Sequence, residues 1–196
     1  MSYLKGNRFV FEDECPNLTA EEVLSHLGFP KDQIENGSVR KKFDEVMEEA
    51  KKLIRMSAVA SYFRMPDDSI PPVPSGPEVM GVILTLGNDV TQRSDECFAH
   101  GDYTKGMILN EIADLCLITY ERMILERISV LSDRKGIKLG QLYERPEDMP
   151  ILELKYVWSA LNAESLLGVH FTRDTTLFPV KSSCFIKKVE YDGEQP

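Results

Sequence analysis

The sequence predicts a single mixed helix-and-strand domain, and three stretches carry that expectation. Residues 79–87, VMGVILTLG, are a nearly continuous apolar run of strand length ending in glycine, the pattern of a strand covered on both faces. Residues 103–134 hold an apolar stripe from Met107 and Ile108 through Ile112, Cys116, Met123 and Ile124 to Arg127, Ile128 and Leu131, wide enough for a long central helix. The closing segments LLGVHFTRD and TLFPVKSSCFIKKV read as two strands joined by a turn around Asp174 and Thr175.

Length and charge bound what such a domain does. With 196 residues the chain is long enough for one well-buried core and short for two, so 1–196 is read as one domain. Apolar residues at 42% and charged residues at 28% are the balance of a globular protein. The net charge of −9 repels phosphate backbones and anionic lipid, which argues against nucleic acid and against a membrane as partners. No apolar run is long enough to span a bilayer, and MSYLKGNRFVFEDE lacks the apolar core of a signal peptide, so the expected location is cytoplasmic. Cys15, Cys97, Cys116 and Cys184 are scattered without a C-x-x-C pair, which fits free thiols in a reducing compartment.

The elements follow in order. Residues 1–16 read as an extended arm in which Arg8 to Phe11 favour a strand and Pro16 stops it. Thr19 with Glu22 is a capping box for a short helix whose apolar face is Val23, Leu24 and Leu27, ending at Gly28. FPKDQIENGS reads as a turn, and Val39 to Arg55 as a helix with Phe43, Val46, Met47, Ala50, Leu53 and Ile54 inward and a solvated Lys/Glu face outward. AVASYFRM alternates as a strand, with Val59, Ser61 and Phe63 opposite Ala60, Tyr62 and Arg64. The proline-rich residues 66–77 are a loop inside the domain. Asn88 and Asp89 are placed to cap a helix with Val90, Cys97 and Phe98 inward. Past the long helix, Leu152, Leu154, Val157, Trp158 and Leu161 give the inner side of another, closed by Asn162 to Ser165, and the tail DGEQP is polar and frayed.

The chain lacks the signatures of self-contained catalysis. It has no phosphate-cradling glycine loop, no G-x-S-x-G, no HExxH and no G-x-G-x-x-G. His26, His100 and His170 have no ligand spacing, and the adjacent Asp95 and Glu96 diverge on a helix, so neither a metal site nor an acid–base pair is expected. A pocket built by a 138–149 loop is the remaining candidate, with Lys138 and Arg145 as cationic donors and Tyr143 as an aromatic plane. The same residues also fit a plain surface loop with Tyr143 packed on Trp158 or Pro146.

Three blocks together resemble the activation domain of cobalamin-dependent methionine synthase. They are EEVLSHLGFPKDQ with the helix and strand AVASYFRM after it, ILTLGNDVTQRSDECFAHGDYTKGMILNEIADLCLITYERMILERI, and the 138–186 stretch. The resemblance implies an α+β fold on a twisted antiparallel sheet flanked by helices. It implies an S-adenosylmethionine groove and a partner, either a corrinoid-binding protein or methionine synthase modules, that carries the cobalamin. It also implies a flavodoxin-like electron donor and an accessory role in reductive methylation, in which the domain supplies orientation rather than catalytic side chains.

Residue by residue, the family's Arg, Gly and Tyr fall on Lys138, Leu142 and Tyr143, and its Thr-rich hairpin with a Pro-x-Lys-Ser turn falls on Thr172, Pro179, Lys181 and Ser182. The implied cofactor-binding residues are therefore Lys138, Tyr143, Arg145, Thr172, Lys181 and Ser182. Lys for Arg gives up a bidentate grip on a carboxylate, and Leu for Gly puts a side chain where the backbone approaches the ligand. The alternative left open is an accessory module of the same fold that has lost adenosylmethionine binding and only contacts a corrinoid protein.

Overall fold

The computed structural model describes residues 2–5, 8–74, 76–144 and 149–191. The chain runs β1 (Ser2–Lys5), β2 (Arg8–Asp13), α1 (Ala20–His26), α2 (Lys31–Asn36), α3 (Ser38–Leu53), β3 (Met56–Arg64), β4 (Glu78–Thr85), α4 (Asp89–Ala99), α5 (Tyr103–Asp133), β5 (Ile137–Glu144), α6 (Ile151–Leu161), α7 (Ala163–Leu167), β6 (His170–Phe171), β7 (Leu177–Phe178) and β8 (Ser182–Tyr191). Six strands form one antiparallel sheet in the order β1-β2-β3-β4-β8-β5, and β6 and β7 form a separate two-stranded hairpin. This is the α+β architecture of an antiparallel sheet flanked by helices that the sequence led us to expect.

Strand alternation divides the core into two layers. Phe11, Ala58, Ala60, Met80, Val82, Leu84 and Phe185 face a cluster completed by Val23 and Leu24 of α1, Phe43 and Val46 of α3, and Ile112, Cys116 and Ile124 of α5. Val10, Val59, Val79, Ile83, Cys184 and Ile186 face the opposite cluster with Leu154, Val157 and Leu161 of α6 and Ala163 of α7. The period of two along each strand is what sends successive residues into different layers. β4 is accordingly buried from Val79 to Leu86, as its unbroken apolar run requires.

Local signals set several boundaries. The Thr19 side chain accepts from the Glu22 amide while the Glu22 carboxylate accepts from the Thr19 amide, so the capping box is formed. Asp102 begins α5 by accepting from the Lys105 amide. Asn88 precedes α4 but makes no side-chain capping bond.

The structure corrects six expectations from the sequence. The 1–16 arm holds the expected strand at Arg8–Phe11, as β2, but it is part of the sheet, with β2 paired to β3. FPKDQIENGS contains α2, a helix whose single buried apolar residue, Ile34, is too little to show a period. The 138–149 loop is largely β5: a bulge between Leu139 and Leu142 turns both toward the α5 layer, which breaks the period of two that would have marked a strand. TLFPVKSSCFIKKV is two strands, because Pro179 has no amide to donate and separates β7 from β8. Phe98, Met107 and Leu152 were assigned to inner faces and are exposed. The Lys/Glu face of α3 is only partly solvated: Glu49 binds Arg93 at 2.7 Å and Lys105 at 2.6 Å, and Lys42 binds Asp102 at 2.9 Å. The DGEQP tail lies outside the described residues.

Gly81 of β4 leaves room for the Phe63 ring of β3 and for Val157 of α6. A Cβ there would sit 2.6 Å from Cζ of Phe63 and 3.4 Å from Cγ1 of Val157. Gly81→Val is therefore expected to destabilise the fold by about 1–3 kcal/mol through overpacking, read as a lowered urea midpoint with an unchanged slope. A midpoint equal to that of the wild type would mean the Phe63 ring gives way without cost.

Candidate functional site

The residues expected to bind a ligand separate into two groups. Lys138 pairs with Glu190 in the sheet, and Glu190 is eight residue steps along β8 from Ser182, about 26 Å at strand rise. Lys138 is thus at the opposite end of the sheet from Lys181 and Ser182. Tyr143 pairs with Ile186 and is only 6% exposed, within the α6-side cluster. It is a core residue here and offers no open aromatic plane. Trp158 is engaged elsewhere, its Nε1 donating to the Val169 carbonyl at 2.6 Å and its ring meeting Phe171 edge-on. Arg145 and Pro146 lie outside the described residues.

Thr172, Lys181 and Ser182 come from the hairpin and the start of β8. Thr172 closes the hairpin turn: its amide donates to the Thr176 carbonyl at 2.8 Å and its Oγ1 accepts from the Thr176 amide. Lys181, 9% exposed, sends its Nζ to Asp114 of α5 at 2.6 Å, while Asn110 donates to the other Asp114 oxygen. Ser182 donates to Oγ1 of Thr85, directly across the β4–β8 register, and Thr85 Oγ1 in turn accepts from the Gly87 amide. Thr172 therefore closes the hairpin, while Lys181 ties the start of β8 to α5 and Ser182 ties β8 to β4.

Of the three only Ser182 lines a groove, one of about 180 Å³ whose wall also holds Leu154, Thr176, Leu177, Val180, Ser183 and Cys184. Its rim residue Val180 is 57% exposed. On the α5 side of the same sheet end, Ser183 hydrogen-bonds Glu121, and Glu144 adds its charge. Burial raises the Glu121 carboxyl above its ordinary value, more than the Ser183 bond lowers it, and repulsion from Glu144 raises it further. This sheet end thus carries negative charge beside small hydroxyls, an arrangement able to accept a cation or donated hydrogen bonds. Sequence reasoning missed Thr85, Asp114 and Glu121. The signal for the last two is their spacing of seven on the long helix, which puts both on one face.

A different cavity is larger. About 790 Å³ opens beside Glu12 to Cys15, Lys51 and Arg55 to Ser57, with none of the sequence-predicted site residues in its wall. The three histidines have local partners, His26 on Glu111, His100 on the Glu96 carbonyl and His170 on the Gly168 carbonyl. Among the described residues no helix is long and apolar enough to cross a membrane.

The raised Glu121 carboxyl makes stability depend on pH in a definite sense. The folded chain keeps this proton to higher pH than the unfolded chain, so stability falls as pH rises from the ordinary value of 4.5 through the raised one, then levels off. Glu121→Gln keeps a partner for Ser183 and removes the charge. Urea midpoints of variant and wild type should coincide near about pH 4 and separate in the variant's favour toward about pH 8. Parallel curves would show that Glu121 is solvated.

No family model matches the sequence, and no curated protein matches it by sequence. Among solved structures, the chain is similar to the MetH reactivation domain bound to AdoHcy, with a TM-score of 0.61 at 12% sequence identity over 95% of this chain and 80% of that one. At that identity the likeness is one of fold, and the fold of this chain is that of the MetH reactivation domain.

Proposed function

We propose that the chain is an activation-domain-like component of a cobalamin-dependent methyl-transfer system, docking on a separate corrinoid protein and presenting an adenosylmethionine-class ligand to it. The observation that carries this reading is the shared fold over 95% of the chain with a domain whose structure holds AdoHcy. The absence from the sequence of a nucleophile elbow, metal motif or phosphate loop agrees with a part that positions its ligand rather than transforming it. Such a component works with a flavodoxin-like electron donor in the cytoplasm.

Fit to the ligand is partial. A sulfonium is cationic, but the Glu121 and Glu144 carboxylates stand on the α5 face of this sheet end, across β8 from the α6-side groove. Lys181, Ser182 and Thr172 hold the groove's framework, while Lys138 is too distant to join them. The volume does not fit: about 180 Å³ compares with roughly 300–1,000 Å³ for sites that enclose a ligand of this class. That shortfall, with Tyr143 in the core and Lys181 committed to Asp114, favours a second reading, in which the fold serves corrinoid-protein docking alone.

Calorimetric titration of S-adenosylmethionine and AdoHcy into wild type and Val180→Glu separates the two. Under the first reading wild type gives saturable single-site heat and the variant, altered at an exposed rim position, binds at least about tenfold more weakly with unchanged melting. Under the second neither protein gives heat, and a corrinoid protein still binds the immobilised chain. Absence of both ligand heat and corrinoid-protein binding removes both readings.

A further inference from the structure

The cavity of about 790 Å³ plays no part in the proposed function, and a pair of thiols stands in its wall. Cys15 is half-buried, on the irregular segment between β2 and α1, and lines the opening together with Lys51. Its Sγ is 3.5 Å from Sγ of Cys116, a fully buried residue of α5, and 3.5 Å from the Pro16 carbonyl oxygen. Cys97 and Cys184 are both buried, at 4% and 3% exposure. One thiol therefore meets solvent, and a second waits directly behind it.

We propose that Cys15 and Cys116 are an oxidation site, in which a hydroperoxide attacked by Cys15 leads to an intramolecular disulfide with Cys116 as the resolving thiol. This inference is independent of any adenosyl ligand or corrinoid partner. The geometry assigns the roles, since only Cys15 is reachable from the cavity. The gap from 3.5 Å to a disulfide bond of about 2.05 Å is closed by the sulfur borne on irregular backbone, which moves more readily than a residue held in α5. Electrostatics agree: the hydrogen bond from Cys116, helped by the Lys51 charge, holds the Cys15 thiol below its ordinary value, and that same contact with burial pushes Cys116 up. Cys15 is thus the thiol that ionises more readily of the two, and Cys116 the one that keeps its proton.

The wall also selects the oxidant. Glu12, Asp13 and Glu14 line the opening, and Asp13 is already held by Arg127. With Asp13 neutralised by Arg127, Glu12 and Glu14 balance Lys51 and Arg55, so the opening has no net positive charge to draw in an anionic disulfide reagent, and a small neutral peroxide needs none. In the first step the Cys15 thiolate attacks one peroxide oxygen. An S–O bond forms, the O–O bond breaks, and the departing hydroxide takes a proton to become water. In the second step the Cys116 sulfur attacks Cys15 sulfur. The S–S bond forms, the S–O bond breaks, and hydroxide leaves with the Cys116 proton as a second water. Two thiols lose two electrons, and one peroxide becomes two waters.

The test is hydrogen peroxide treatment of the reduced full chain, followed by intact mass and non-reducing peptide mapping. The expected result is a loss of about 2 Da, located in a peptide joining Cys15 to Cys116 and reversed by dithiothreitol, with Cys97 and Cys184 still alkylatable after unfolding. Cys116→Ser should instead accumulate Cys15 sulfenic acid that dimedone traps. Because that buried position is sensitive to packing, the wild-type map decides alone if the variant fails to fold. Peroxide that leaves Cys15 unmodified overturns the proposal, as does oxidation of Cys15 to sulfinic acid without the cross-link. A cross-link formed faster by oxidised glutathione than by peroxide overturns the choice of oxidant.

Discussion

The pairing of β4 with β8 is the constraint on which the rest of the structure depends. Both strands pass through the middle of the sheet, β4 buried from Val79 to Leu86 and β8 from Cys184 to Ile186. A peptide group withdrawn from water on both faces must find its hydrogen bonds within the sheet, so β4 requires β3 and β8, and β8 requires β4 and β5. Two apolar faces also require two helical layers. The register Val82 to Phe185 and Ile83 to Cys184 assigns each pair to one layer, and a slip of one residue would exchange them all. The helices are therefore as much a consequence of this central pair as of their own periodicity.

Charge then fixes the outer parts. Asp13 at the end of β2 receives both guanidinium nitrogens of Arg127, at 2.5 and 2.8 Å, so α5 is tied to a strand two removed from the sheet centre. The Asp13 side chain is 10% exposed, which makes the fork-to-fork geometry more than a surface ion pair. At the other end of α5, Glu49 with Arg93 and Lys105, and Lys42 with Asp102, join α3 to the α4–α5 corner. Lys135, just past the end of α5, lies 5.0 Å from the ring centroids of both Phe9 and Tyr62, and the Tyr62 hydroxyl meets Ser132 of α5 at 2.7 Å.

How much of this was legible in the sequence depended on the range of the interaction. The Thr19–Glu22 box, the alternation of β3 and the unbroken β4 are local patterns that stand where the sequence put them, and so does the α5 stripe apart from the exposed Met107. β5 was not legible, because its bulge over Gly140 and Gln141 hides the strand period and its partner lies more than forty residues later. The candidate site suffered from the same cause. Lys138 and Tyr143 are five residues apart, yet only the pairing with β8 shows that one is at the far sheet end and the other in the core. Lys181 read as a ligand donor through the resemblance of its Pro-x-Lys-Ser turn, and nothing local announces Asp114, 67 positions earlier. The two thiols that touch are 101 residues apart, so counting cysteines as scattered was correct for spacing and uninformative about contact.

The placement of β8 also bears on how the chain is made. Every other strand of the sheet precedes it, so while residues 1–181 are emerging, β4 has one neighbour and an open apolar edge from Val79 to Thr85. β5 at that stage has no strand to pair with at all. An exposed edge of that composition is a template for pairing with another chain, and filling it requires contacts of long sequence separation, which form slowly. The interval between synthesis of β4 and arrival of β8 is therefore the point at which this protein is most open to association with itself and to capture by a chaperone.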